Sequence, residues 1–270
     1  AIVYASTSKI VKIPRGSYLL TNFLVLNTGT KLVGDGIGKT YLLRGGTSAQ
    51  TNSHLYATIQ TPAVFNPYVT NGGHVGSVTC TVTNISLEGF TLTTADGYHP
   101  GFGIALFGHQ NAKLNNVEIT GCTNHWAVTV FGNNTEIRGL QIRNAGWIYR
   151  DGIHMLGGDG IAIANCDITS GDDALAFGGG TRLDVSIKNV TVANCVVSSS
   201  HGHAVRVAIE NTSATNAHSG FVISGVVGYA GLQRNGLVYM HSDSTNMTYG
   251  INDVTLRGLR LTHGGIAGHG

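Results

Sequence analysis

The stretch IANCDI, Ile163 to Ile168, returns one repeat later as VANCVV, Val192 to Val197. Both are cases of one pattern: an apolar residue, two spacers, then apolar, any, apolar. It also runs through LEGFTL (Leu87 to Leu92), LNNVEI (Leu114 to Ile119), IRGLQI (Ile137 to Ile142), ISGVVG (Ile223 to Gly228) and LRGLRL (Leu256 to Leu261). The residue before the second apolar position reads Gly89, Asn116, Gly139, Asn165, Asn194, Gly225, Gly258. Gly and Asn are the residues that enter the left-handed backbone region most readily. The column therefore predicts a bend through positive φ at the same corner of every repeat. Cys166 and Cys195 share an inward position on successive repeats, which reads as a pair of core thiols, with a disulfide as the alternative.

A second series interleaves with the first: FGIALFG from Phe102, WAVTVFG from Trp126, DGIHMLG from Asp151, DALAFGG from Asp173, HAVRVAI from His203 and NGLVYMH from Asn235. Two period-2 strands per repeat, with no helix-length apolar stripe, predict coils built from strands. A repeat of this length cannot bury its own apolar face and must stack on its neighbours. The expected fold is all-β: a single-domain right-handed parallel β-helix, a solenoid spanning residues 1–270. IPRGSYLL and KLVGDGIG read as an opening coil with turns at Pro14-Arg15-Gly16 and Gly34-Asp35-Gly36. Residues 47–79 hold few strand signals and read as a long non-repeating excursion.

Composition narrows the function. Gly numbers 39 and Pro 4, so tight turns rest on glycine, at about twice its usual ~7% share. Charged residues are 11% and the net charge is +2, without a Lys/Arg run that would track phosphates, so nucleic acid is not an expected partner. No apolar run approaches the ~18 residues of a membrane helix, and AIVYASTSKIVKIPRG lacks the order of a signal peptide. The expectation is a soluble chain, mature or trimmed, with no membrane partner. The four Cys have no C-x-x-C spacing, which argues against a zinc site.

Stacking of the second series puts Phe102, Trp126, Asp151, Asp173, His203 and Asn235 in one column. Asp151, Asp173 and His203 then form a patch on three consecutive coils, with Asp172 beside it. Crowded carboxylates repel unless one keeps a proton, which supplies a general acid beside a general base. Two carboxyl groups flanking a glycosidic bond are what glycoside hydrolysis requires. Trp126 and Phe102 would lie further along a groove, either stacking on sugar or covered by a loop or subunit. Asp-Asp as a turn cap is the bland alternative. His154, His201 and His203 lie near enough for a metal or for pairing with the carboxylates; the reading adopted has no metal and no cofactor.

YRDGIHM (Tyr149 to Met155), SGDDALAF (Ser170 to Phe177) and SHGHAVRVA (Ser200 to Ala208) resemble the polygalacturonase family of glycoside hydrolases, within the pectin-lyase-like right-handed β-helix superfamily. That family carries Asn-Thr-Asp-Gly, Gly/Gln-Asp-Asp and Gly-His-Gly coils, then an Arg-x-Lys pair. The resemblance implies that Asp151, Asp172, Asp173 and His203 are catalytic, with Asp172 the acid, Asp151 and Asp173 activating water, and configuration inverted. Tyr149 and Arg150 stand where the family has Asn-Thr, and Val238 and Met240 where Arg-x-Lys is expected. Arg206, His154, Trp126, Arg150 and Tyr149 are the expected substrate-binding residues, and the substrate is expected not to be plain polygalacturonate. The opening coil is similar to that of phage tailspike depolymerases. It implies a complex polysaccharide substrate, an extracellular, secreted or virion-associated protein, and a homotrimer. A polysaccharide lyase on a uronate polymer, and a non-catalytic glycan-binding or structural β-helix, are the alternatives.

Overall fold

Strands with one apolar face need a partner on that face, and here successive turns of the same coil provide it. The computed structural model describes residues 10–45, 57–62, 82–94, 101–121, 125–144, 150–178, 185–210, 215–230, 236–243 and 249–264. Among them are 21 strands and no helix, so no helix there is long and apolar enough to cross a membrane. Every strand pairing is parallel, and three columns result. One column climbs through Ala57–Gln60, the starts of Phe102–Thr120, Val128–Arg138 and Ile153–Ala164, then Leu175–Gly178, Val205–Ile209 and Val238–Ser242. A second ends in Ile187–Ala193, His218–Ser224 and Ile251–Arg257. The third includes Gln141–Asn144, Asp167–Ser170, Val196–Ser199, Val227–Ala230 and Arg260–Gly264. The fold is a right-handed parallel β-helix, the hand that crossovers between parallel strands take almost without exception.

The corner between the second and third columns is the one the repeat predicts. Gly89, Asn116, Gly139, Asn165, Asn194, Gly225 and Gly258 all have φ between 48° and 70°. A second left-handed corner, not read from the sequence, precedes the second column at Asn84, Asn111, Asn134, Gly160, Asn189, Gly220 and Asp253. There the Asn111 side-chain amide donates to Asn84 Oδ1 at 3.0 Å and that of Asn134 to Asn111 Oδ1 at 3.1 Å. The amides thus bond along the axis, satisfying one another where the backbone bends.

Inward residues fill the coil in rows. Ile104, Val128, Ile153, Leu175 and Val205 are all fully buried, and Phe177 meets Phe221 edge-on at 5.6 Å. Burying each such side chain contributes about 1.5–3 kcal/mol. Cys166 and Cys195 are free, buried thiols, each bonding a nearby carbonyl at 3.3 Å; the disulfide alternative does not hold. The opening segment forms Ile10–Ile13, Gly16–Leu20, Lys31–Gly34 and Thr40–Arg44, with Gly16 and Gly36 at φ 140° and 130° in its turns. Most of residues 47–79 lies outside the described residues. The described part departs from the expected excursion: Ala57–Gln60 is fully buried and pairs with Leu24–Val25 and Phe102–Thr120 as an ordinary coil strand.

Candidate active site

The turn from the third column back to the first carries the polar patch. Backbone bonds there continue the ladder: Ala127 N to Asp151 O at 3.0 Å, Gly152 N to Asp173 O at 2.9 Å, Ala174 N to His203 O at 2.9 Å and Ala204 N to Gly236 O at 3.3 Å. Trp126, Asp151, Asp173 and His203 therefore share one column, as the spacing predicts. Its next member is Gly236 and not Asn235, which lies outside the described residues. The last window is one residue out of register: Val205 pairs with Val238, where the window spacing would put Leu237.

Donor oxygens of Asp151, Asp172 and Asp173 lie within 4.8 Å of one another. Asp151 is 4% exposed and Asp173 6%, while Asp172 is half-buried. Each is anchored. Asp151 Oδ1 accepts the Asp173 N–H at 3.1 Å, and Asp173 Oδ1 accepts the His203 N–H at 2.7 Å. The Arg150 carbonyl takes the N–H groups of both Gly171 and Asp172, and Ser170 Oγ donates to the Asp172 carbonyl at 2.7 Å. These bonds do include turn capping. They also hold three acids together, which capping alone does not require.

Burial is the main cause of their raised pKa values, because it disfavours the charged form. It pushes Asp151 to about 8, Asp172 to about 8 and Asp173 to about 7. The neighbouring carboxylates raise Asp172 further, as Asp151 does Asp173, and the Arg206 guanidinium opposes the rise in all three. Arg206 is ion-paired with Glu210, and its Nε stands 3.7 Å from Asp173 Oδ2. Near neutral pH such a cluster holds both protonated and ionised carboxyl groups, as acid/base work needs.

His154 is 1% exposed; its Nδ1 lies 2.5 Å from Asp151 Oδ2, and its ring stacks on Trp126 at 3.7 Å. Trp126 is 3% exposed, packed with Phe102, Phe107 and Leu156 in a cluster on the outward side of the first column. Of the alternatives for these aromatics, covered packing holds; neither Trp126 nor His154 offers an open face for sugar. His203 is 7% exposed and stacks on Tyr239 at 4.2 Å with the rings nearly parallel, while its Nδ1 accepts the Gly236 N–H at 3.3 Å. Exposed His201 sits over the Asp172 turn, its Nδ1 3.1 Å from the Gly171 carbonyl. Half-buried Arg150 contributes its main chain; Tyr149 lies outside the described residues. Among the described residues only the three aspartates bring together the donor atoms a cation would need, and the three histidines do not join them.

The register change at Gly236 moves two residues that sequence spacing misassigned. Val238 and Met240 turn into the core, and the outward positions are Tyr239, opposite Arg206, and His241. Tyr239 is 37% exposed, and His241 Nε2 pairs with Asp243 at 2.7 Å. Tyr239 and His241 were not foreseen, since a one-residue slip exchanges inward and outward faces; Glu210 follows the strand Val205–Ile209, outside the repeat window.

The chain matches the family described as Rhamnogalacturonase A/epimerase, pectate lyase-like over residues 2–222. It belongs to that family. No curated protein matches it. Among solved structures, it is similar to 1,3-α-1,4-β-D-galactose-4-sulfate-3,6-anhydro-D-galactose-2-sulfate 4 galactohydrolase, with TM-score 0.62 and 17% identity over 82% of this chain and 49% of that one. The chain thus spans about half the length of that enzyme. It is also similar to polygalacturonase from Erwinia carotovora ssp. carotovora, with TM-score 0.56 and 16% identity over 94% of this chain and 86% of the other. At these identities the likeness to the two structures concerns the coil, and this family member's chemistry has to be argued from its own side chains.

Proposed function

We propose that the protein is a polysaccharide depolymerase that hydrolyses glycosidic bonds with acid and base carboxylates. The observation that carries this is the convergence of Asp151, Asp172 and Asp173 from two successive coils within 4.8 Å, with pKa values of about 7 to 8. Asp172, the most exposed of the three, is suited to protonate the leaving oxygen. Asp151 and Asp173 are assigned to the activation of water, and His203 to orienting the pair. Two nearly buried, hydrogen-bonded carboxylates are poorly disposed to attack carbon directly, so water is the nucleophile and configuration inverts. The separation is shorter than the roughly 6.5–9.5 Å usual for inversion, so the anomer of the first product, followed by proton NMR, is a direct check.

A lyase would instead abstract a proton beside a uronate carboxylate. The cation beside Asp173, Arg206, is already engaged by Glu210 and Asp173, which favours hydrolysis. Incubation with a panel of neutral and acidic polysaccharides tests this. New reducing ends without ultraviolet absorbance from unsaturated uronates are expected; that absorbance would mean elimination, and inertness toward every polymer would favour a glycan-binding role. A polymeric substrate is met outside the cell, consistent with a secreted or virion-associated protein. A homotrimer is the expected assembly, read by sedimentation over a wide concentration range.

A further inference from the structure

We propose that Asp151, His154 and Trp126 form one positioning unit, which leaves Asp173 as the carboxylate that activates water. This rests on the hydrolase reading above and divides the labour within it.

Both oxygens of Asp151 have work within the protein. Oδ2 lies 2.5 Å from His154 Nδ1, and Oδ1 accepts the Asp173 N–H at 3.1 Å. A proton lies in the first contact, on Nδ1, on the carboxyl or shared between them, since two acceptors would repel. That Asp173 N–H belongs to the peptide joining Asp172 to Asp173. Asp151 therefore holds the very bond that sets the acid and the base relative to each other. Asp173 differs: Oδ1 accepts the His203 N–H, and Oδ2 has Arg206 Nε at 3.7 Å, an arrangement that keeps one oxygen beside a cation and available to a water.

His154 can fix Asp151 only if its own ring is fixed, and packing does this. Trp126 covers one face at 3.7 Å and 21°. The indole is held in turn by Phe102 at 5.5 Å and by the edge of His125 at 4.6 Å. All of these rings are buried. A ligand-orienting shell of this kind acts by removing rotational freedom from the group that does chemistry.

The test uses His154→Phe, which keeps a ring against Trp126 and removes the donor, and His154→Asn, which restores an N–H near Nδ1. With a polysaccharide that the wild-type chain cleaves, His154→Phe is expected to lower kcat at least about tenfold with KM within about threefold. His154→Asn should recover most of that loss. Independently of turnover, the wild-type proton NMR spectrum should show a strongly downfield imidazole resonance that disappears in Asp151→Asn. A raised KM at unchanged kcat in His154→Phe would overturn the proposal by making His154 a substrate contact. Absence of the downfield resonance would overturn it too, and this readout remains if His154→Phe does not fold. Full activity in Asp172→Asn would instead remove the hydrolase reading while the resonance still reports on the Asp151–His154 pair.

Discussion

Gly202 lies against the carboxyl of Asp172: a Cβ built on it would stand 2.4 Å from Asp172 Oδ1 and 2.7 Å from Asp173 Oδ1. The glycine between His201 and His203 is there for space, because its backbone is not in the left-handed region. Gly202→Ala must push the proposed acid aside. A displacement of about 1 Å can cost about 10²-fold in rate, so kcat/KM should fall by about 10- to 10²-fold while circular dichroism shows a folded coil. Wild-type turnover in this variant would show that the acid does not sit where Asp172 does.

Asp172→Asn and Asp173→Asn should each lower turnover at least about 10²-fold, the low end for loss of an acid or base, with His203→Ala milder. Stability should move the other way. These carboxyls ionise near 3.9 when unfolded but at about 8 and about 7 when folded. The folded state thus holds protons the unfolded chain has released. Their contribution is fully present below about pH 4 and is lost as pH rises through about 7 to 8. Asp172→Asn should therefore melt at least about 2 °C above wild type at pH 8 and level with it near pH 4. Joint loss of folding and activity would favour a plain turn cap.

Much of this was legible in the sequence, for a physical reason: each coil repeats the same steric demand at the same corner. Gly89 to Gly258 could be aligned because their column tolerates few residue types, and stacking of the interleaved series that begins at Phe102 brought Asp151, Asp173 and His203 together. Legibility failed where the register slipped. Val205 pairs with Val238 rather than Leu237, which reverses the faces expected of Val238 and Tyr239, and strand alternation alone cannot report such a slip. Trp126 was open to two readings because an outward position on a strand is exposed only if nothing packs over it. The Asn84–Asn111–Asn134 ladder went unread because its asparagines lie inside continuous strands, away from the turn signals that mark a bend.

Arg206 should act on pH dependence before it acts on binding. Its charge favours ionisation of all three aspartates, while Glu210 pushes Asp151 the other way. Arg206→Gln removes a cation from a carboxylate cluster, so the acid limb of the kcat profile should move up by about one pH unit; Glu210→Gln should move it down. The limbs report the coupled cluster rather than any single residue. An unmoved profile in both variants would mean that neither group senses the titrating acids.

The charge of the substrate follows from what lines the outward face beside the triad. Asp172, Asp173, Glu210 and Asp243 face Arg206 and His241, and both of those side chains already have carboxylate partners. A uronate entering here meets repulsion, and the guanidinium beside Asp173, Arg206, is already held by Glu210; a bidentate arginine is hard to replace for that task. Oligosaccharide binding can be separated from cleavage in Asp172→Asn. Neutral oligomers should bind more tightly than uronate oligomers of equal length, and salt should narrow the gap by screening the repulsion. Arg206→Ala should weaken both classes alike. Replacing the two outward residues, Tyr239→Arg with His241→Lys, should improve uronate binding by about tenfold through a new charge-assisted pair, while kcat suffers because His203 loses the ring it stacks on. Tighter uronate binding by the parent, abolished for uronates alone in Arg206→Ala, would show that Arg206 leaves Glu210 to hold the substrate carboxylate.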